Sequence, residues 1–373
     1  MQVHIGSRHL TADVALALDV AGREHLVVVV KSTWSIPQPG QRPRPLPPLA
    51  LVTSDDYHGE PGASPLRYGD DLARFKPRCD VLFDALAHSP VNTQVHALHV
   101  LAQVGTMNKH LRVTGPRKWR IQAGTARLTA PQPFTTMPLH HGLAFGGTRW
   151  FKSANSREDL SESLLTNPVG LGFAGANTLR QVNGESAPCL EDPDDPVRRP
   201  DGKHRAAALS AVSRHWLPRK AFAGTYDQAW KEEVFPLLPA DFDEQFHQCA
   251  PRDQQIDYPT GGEPVRLLNM CLSREDIQFN LPRLALQVRV LRSDYSSAAP
   301  SAVVDTLYFE PEHQRFSAVW RASLPLRRRL QEIQTVAVGP IDPLWWQDQL
   351  VGGNGRGCVG CSSPAEELPT AAA

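Results

Sequence analysis

Alternation of apolar and polar side chains is the dominant period along this chain. Leu284, Leu286, Val288 and Val290 alternate with Arg283, Ala285, Gln287 and Arg289, the signature of a strand with one apolar face. VVDTLYFE, PEHQ and RFSAVWRA read as a hairpin that places Phe316, Ala318 and Trp320 on one side. In the first half, HLVVVVKSTWSI, DVLFDALA, TQVHALHVLAQV and KHLRVTG are short β-branched or alternating runs bounded by glycine, proline or asparagine. The pattern predicts a mainly β protein of two β-sandwich-like modules with long irregular loops and a few short helices. The modules are expected at 1–145 and 214–343, the second opening with short helices. An irregular connection at 146–213 separates them, and a disordered tail rich in Gly, Ser and Ala follows at 344–373.

Helical spacing is confined to AGTYDQAWKEEVFPLLPADFDEQF, residues 223–246. Thr225 and Gln228 have the form of a capping box, which predicts a helix from Tyr226 that ends near Pro236. Tyr226, Trp230 and Val234 then share one face, and Asp227 stands four residues before Lys231 as an ion pair. Asp241 and Glu244 repeat the cap, with Phe242 and Phe246 on a common face. The same stretch holds six carboxylates and five aromatic rings, a density also found in sugar-cleaving clefts. A paired-carboxylate mechanism needs two of them about 5 to 9.5 Å apart. Local capping accounts for several of them without it.

Composition narrows the classes. Hydrophobic residues make up 41% of the 373 positions and charged residues 21%, as in an ordinary globular protein. Lysine plus arginine equals aspartate plus glutamate at 39 each, so no net field draws the chain to nucleic acid or to an anionic membrane. There are 33 prolines, which favours turns and irregular connections over long helices. Six of them fall in residues 36–48, where a stiff polyproline-like loop is expected. No basic and apolar leader opens the sequence and no run reaches the roughly 20 residues of a membrane span, so a cytoplasmic protein with reduced cysteines is expected.

Motifs with chemistry are sparse. Residues 355–360 match GxGxxG literally and Cys358 and Cys361 form a CxxC pair. The first lacks the following helix and acidic residue, and the second lacks the other half of a tetrahedral metal site. HExxH, GxSxG and P-loop patterns are absent. His96 and His99 fall on opposite faces of a strand, and the neighbours His140 and His141 diverge in an extended segment. No cofactor, metal or catalytic residue is assigned.

Several ordered blocks resemble a bacterial family catalogued as domain of unknown function 2169, found with type VI secretion effectors. They are LRYGDDLARFKPRCDVL, LRVTGPRKW, PFTTMPLHHGLAFGG, NPVGLGF, RHWLPRKAFAGTYDQAWKEEVFPLLPADFD, and APRDQQ with GGEPV, together spanning about residues 5 to 340. Matching motif residues are Lys76, Trp119, Phe145, Asn167, Trp216, Arg219, Tyr226, Asp227, Trp230, Asp241 and Gly262. The resemblance implies a cytoplasmic, non-enzymatic adaptor or chaperone that binds a toxin effector and helps load it on the secretion spike. A spike or spike-tip protein is then a second partner. Trp216, Arg219, Tyr226, Asp227, Trp230, Asp241 and Phe242 are the candidates for the partner surface, the tryptophans, tyrosine and arginine being the types that dominate binding hot spots. The rival expectations are a glycan hydrolase using carboxylates in 227–244 and a carbohydrate-binding β module.

Overall fold

In the computed structural model, which describes residues 1–153 and 158–351, the run HLVVVV lies in the long strand Glu24–Ser35. Its valines do not alternate with polar residues because both faces are covered. Leu26, Val28 and Val30 enter the main core, while Val27 and Val29 pack with Val319 beneath Leu51 and Leu72. The strand sits inside a six-stranded sheet of spatial order Gln255–Ile256, Cys79–Phe83, Val303–Glu310, Arg315–Pro325, Glu24–Ser35, Thr11–Leu18. The predicted hairpin at 303–325 is present, and its second strand pairs Phe316 with Trp34 and Trp320 with Val30.

A second sheet runs Leu190–Glu191, Met107–Thr114, Ala97–Val104, Pro264–Leu268, Asp276–Asn280. A third runs Gln2–Ile5, Ile333–Val338, Val288–Arg292, Ser297–Ala298. All three feed one hydrophobic cluster that includes Phe83, Phe316, Val100, Leu111, Leu267, Val290 and Val336. The mainly β class with few short helices is therefore as expected, but the two halves do not form separate modules. Strands from residues 1–145 and from 214–343 are paired within the same sheets. Periodicity identifies a strand locally, whereas its partner is chosen by long-range burial, which no local window contains.

Three boundaries differ from the expectation. The predicted strand at 284–290 enters a ladder only from Val288; the preceding residues cross between two sheets. The connection at 146–213 is not a surface strap. Leu190–Glu191 pairs with the second sheet, and Ala174, Val182, Ala187 and Val197 pack on Trp119 and Phe145 in a satellite core. Residues 344–351, expected in the disordered tail, belong instead to the helix Pro343–Val351, with Trp346 buried against Leu291 and Ile341. Cys358, Cys361 and the glycines of 355–360 lie outside the described residues. The proline-rich loop lies along the end of the long strand: beyond the Thr11 and Lys31 pair, Ser35 N donates to Arg44 O at 2.9 Å and Leu46 N to Thr33 O at 2.9 Å.

The face of the six-stranded sheet away from the main core carries charge. Lys76 Nζ lies 3.0 Å from Asp80 Oδ2 and donates to Thr306 Oγ1 at 2.9 Å. The second Asp80 oxygen accepts from Gln248 Nε2 at 2.6 Å and Ala250 N at 3.1 Å, while Cys249 N reaches Oδ2 at 2.9 Å. Beside it Arg321 bonds Asp305 and donates to Asp71 O and Ala73 O, and Lys31 pairs with Asp71 at 2.6 Å. Lys76 and Asp80 are both buried, so removing one charge strands the other. Asp80→Asn is expected to lower stability by roughly 3 to 5 kcal/mol in urea unfolding. Lys76→Met combined with Asp80→Asn should recover much of that loss, and a double variant no better than the single one would show that the lost hydrogen bonds, not the stranded charge, dominate.

The two adjacent histidines diverge as anticipated. His140 meets His58 at a 42° tilt with centroids 4.7 Å apart, and His141 bonds Ser210 Oγ through Nδ1 at 2.8 Å. Burial, aided by the nearby Lys109 charge, lowers the His141 pKa to about 3. A base whose folded pKa lies below its unfolded value of about 6.5 stabilises the fold above pH 6.5, and that contribution fades as pH falls toward 3. The melting temperature should therefore drop between pH 7 and 4. His141→Gln is expected to be less stable at pH 7 yet to show a flatter slope across that range.

Candidate functional site

The segment that follows Ser213 leaves the sheets as an excursion and returns at Gln248. Arg214 fixes its start by a bidentate bond to Asp55, both contacts at 2.8 Å, and a third contact to Asp70 at 2.5 Å. Burial raises the Asp55 pKa, but the bonds to Arg214 outweigh it and hold the carboxyl below its ordinary value. Trp216, 1% exposed, leads into the turn of helix Leu217–Lys220 and meets His141 edge-on at 5.4 Å. Arg219, 7% exposed, donates to Phe246 O and Val212 O at 3.0 Å each and lies over the Phe246 ring. Arg219 thus clamps the two ends of the excursion together, Trp216 is buried at its start, and neither has a face for a partner.

The helix inside it spans Gln228–Glu233, shifted from the expected start because Asp227, not Thr225, is the cap. Asp227 Oδ1 accepts from Trp230 N at 2.8 Å. Thr225 turns instead to Asp241, giving it N–H at 2.9 Å and Oγ1–H at 2.8 Å. These bonds hold the Asp241 carboxyl below its ordinary pKa. The second cap is likewise two residues along: Asp243 Oδ1 accepts from Gln245 N at 2.8 Å at the start of Glu244–His247, and Glu244 pairs with Arg74. Among the described residues no Asp227 to Lys231 ion pair forms; Asp227 is spent on the cap. Four of the six carboxylates in 223–246 are therefore tied to caps, loop closure or Arg74, and Glu232 accepts from Gln228 Nε2 at 2.6 Å.

The aromatic side chains sort into two tiers. Phe242 contacts Phe246 and His247 at 5.9 and 5.7 Å, half-buried above Arg219. On the outer side Tyr226 meets Trp230 at 4.7 Å and Trp230 meets Phe235 at 5.6 Å, both edge-on. Tyr226 is 53% exposed and Phe235 67%. The half-buried Trp230 between them donates Nε1–H to Leu237 O at 3.0 Å, and Leu237 reaches the turn at Gly22 of the hairpin formed by Thr11–Leu18 and Glu24–Ser35. The expected helical stripe of Tyr226, Trp230 and Val234 is replaced at its third place by Phe235. The signal was Pro236, which ends the helix early and turns the preceding side chain outward. Two exposed rings braced on a half-buried third by a capped turn offer apolar contact area with little side-chain entropy left to lose.

Elsewhere the residues shared with the family motif hold loops. Asn167 Nδ2 donates to His141 O and Phe145 O, Trp119 Nε1 to Gly172 O at 3.0 Å, and Lys76 belongs to the buried network. Burial pushes the Cys249 thiol up to about 12 despite the neighbouring Lys76, so it stays a neutral thiol at neutral pH. Among the described residues no group of three or more His, Cys, Asp or Glu could hold a metal ion, and no helix is long and apolar enough to cross a membrane.

Gly224 has φ +82°, and a Cβ there would lie 3.0 Å from both Asp241 Oδ1 and Pro239 Cβ. Gly224→Ala should cost about 1–2 kcal/mol of local stability, read as faster amide exchange across 221–243. Asp241→Ala should raise exchange at the Thr225 amide while the global melting temperature moves little. A large fall in melting temperature for Asp241→Ala would instead make the excursion part of the cooperative core.

Neither the curated proteins nor the solved structures contain a match to this chain. A family described as uncharacterized protein conserved in bacteria (DUF2169) matches residues 21–321. That range takes in both ends of the excursion, the buried charge network and most of the three sheets, and on it the chain belongs to the DUF2169 family of bacterial proteins.

Proposed function

We propose that this protein is a cytoplasmic, non-enzymatic adaptor that binds a type VI secretion toxin effector and helps bring it to the spike, with the outer aromatic tier as its contact. The observation that carries the reading is the outer tier on a cross-braced excursion, in which the exposed Tyr226 and Phe235 flank the half-buried Trp230. Large rings held in place are the residues that dominate protein binding energy, and the link to secretion comes from the family resemblance of the sequence blocks. Of the residues expected at the partner surface, Tyr226 and Trp230 supply the contact. Asp227, Asp241 and Phe242 shape it, while Trp216 and Arg219 anchor it from behind.

The carboxylates favour the adaptor over a glycan hydrolase. A general acid for that chemistry needs a raised pKa, whereas Asp241 is lowered by its bonds to Thr225 and Asp227 serves a helix end. The rings meet edge-on and not as a coplanar row, which also counts against a sugar-stacking platform.

Copurification with toxins encoded beside it is the direct test. Tyr226→Ala and Phe235→Ala are each expected to weaken the complex about tenfold or more with unchanged melting temperature, while Trp216→Ala lowers the melting temperature. Failure to capture any neighbouring effector, or full binding by the Tyr226→Ala, Phe235→Ala double variant, would overturn the assignment.

A further inference from the structure

The six-stranded sheet ends on Thr11–Leu18, and the far edge of that strand is open. On its near side it pairs with Glu24–Ser35 from Thr11 to Leu18 without a register shift. The turn sets which groups make the ladder: Asp19 N donates to Arg23 O at 3.1 Å, and Glu24 O turns the other way to accept from Leu326 N at 2.8 Å. Antiparallel bonds fall on alternate residues. Thr11, Asp13, Ala15 and Ala17 therefore bond inward, while Ala12, Val14, Leu16 and Leu18 turn both N–H and C=O to the same outer edge. Among the described residues one of these groups is met, Val14 N by Asp13 Oδ1 at 2.8 Å.

The strand has the composition of an interior one. Ala12, Val14, Ala15, Leu16, Ala17 and Leu18 are apolar, yet no residue of the strand is buried and Leu16 is 47% exposed. Ala12 and Val14 pack on the main core and Ala17 on the small cluster behind the sheet, so both faces are apolar. Natural edges of this length are blunted by proline, a bulge or several charges. This one carries Asp13 alone, and the proline-rich loop covers only the part of Glu24–Ser35 beyond the Thr11 and Lys31 pair.

We infer that this edge pairs with the same edge of a second copy of the chain, antiparallel about a twofold axis at Ala15, so that two six-stranded sheets become continuous. Free N–H and C=O groups along one edge fit an extended main chain, because strand addition supplies donors and acceptors in register. The side chains say which one. Outward residues must meet outward residues for the bonds to close, and an axis at Ala15 sets Leu16 opposite Val14 of the second copy, Leu18 opposite Ala12, and Asp13 opposite Ala17. Apolar groups meet on the core face, the single charge meets a small neutral residue, and Leu16 is covered. Each contact is made twice, as a closed twofold interface requires. Sliding the pair two residues toward the turn would instead set Asp13 against Asp19, like charges directly opposite. The edge shares no residue with the outer aromatic tier, so either assignment can fail while the other holds.

The test is sedimentation velocity of the full chain from about 1 µM to about 1 mM, because a single strand pair is a small interface and its dimer should form in the micromolar range. Leu16→Lys sets two ammonium groups diagonally across the axis. Val14→Pro removes an outward amide that the sheet itself does not use. Each is expected to weaken dimerisation about tenfold or more with little change in the monomer's melting temperature. Hydrogen exchange at Ala12, Leu16 and Leu18 should slow as protein concentration rises, while Asp13, Ala15 and Ala17, already bonded in the ladder, stay constant. A chain that remains monomeric at the highest concentration, or a dimer that Leu16→Lys leaves intact, would overturn the inference. So would a dimer that forms without slower exchange at 12, 16 and 18.

Discussion

Asp80 is the point on which the surface described above depends. Its two oxygens receive a lysine, a glutamine side chain and two successive backbone amides, all without solvent. A buried carboxylate is tolerated only when its charge and lone pairs are satisfied, so the chain from Gln248 to Ala250 has one place to lie. That fixes where the excursion returns to the body. The Arg214 bonds to Asp55 and Asp70 fix where it leaves. Between those two points, a run of polar residues and rings that could not fold alone is held in a single shape.

The same logic appears in miniature within the excursion. Asp227, Asp241 and Asp243 each tie a backbone amide, at a helix start or across the loop, so the acids set the path and the rings follow. A stretch whose composition suggests chemistry is then a frame built from short local bonds. Its apolar content divides between an inner tier over Arg219 and an outer tier facing water, and only the outer one is free to meet another molecule.

Strand positions were legible because burial leaves a period of two, and the hairpin at 303–325 needed only its own turn. The pairing of Arg315–Pro325 with Glu24–Ser35 was not, since nothing local distinguishes one half-buried strand from another as a partner. The caps expected at 225 and 241 each lie two residues further on, because Thr and Asp stand close together there and each can accept an amide; geometry, not residue type, selects Asp227 and Asp243. The burial of Trp216 and the outward turn of Phe235 also escaped, the first because a tryptophan in a polar stretch carries no period, the second because it follows from where Pro236 stops a helix. The buried charges at Lys76 and Asp80 gave no signal either, as an isolated lysine four residues from an aspartate reads as a surface pair.

The interleaving of early and late strands bears on how the chain reaches its fold. In the six-stranded sheet, Arg315–Pro325 lies between Glu24–Ser35 and Val303–Glu310, so the early strand waits for a neighbour nearly three hundred residues away. Closing such separations before any contact rewards them makes folding slow. During synthesis the hydrophobic run at 26–30 would emerge long before its cover, a period in which an exposed strand is prone to pair wrongly. A chain built this way has reason to meet a general folding helper before its sheets are complete.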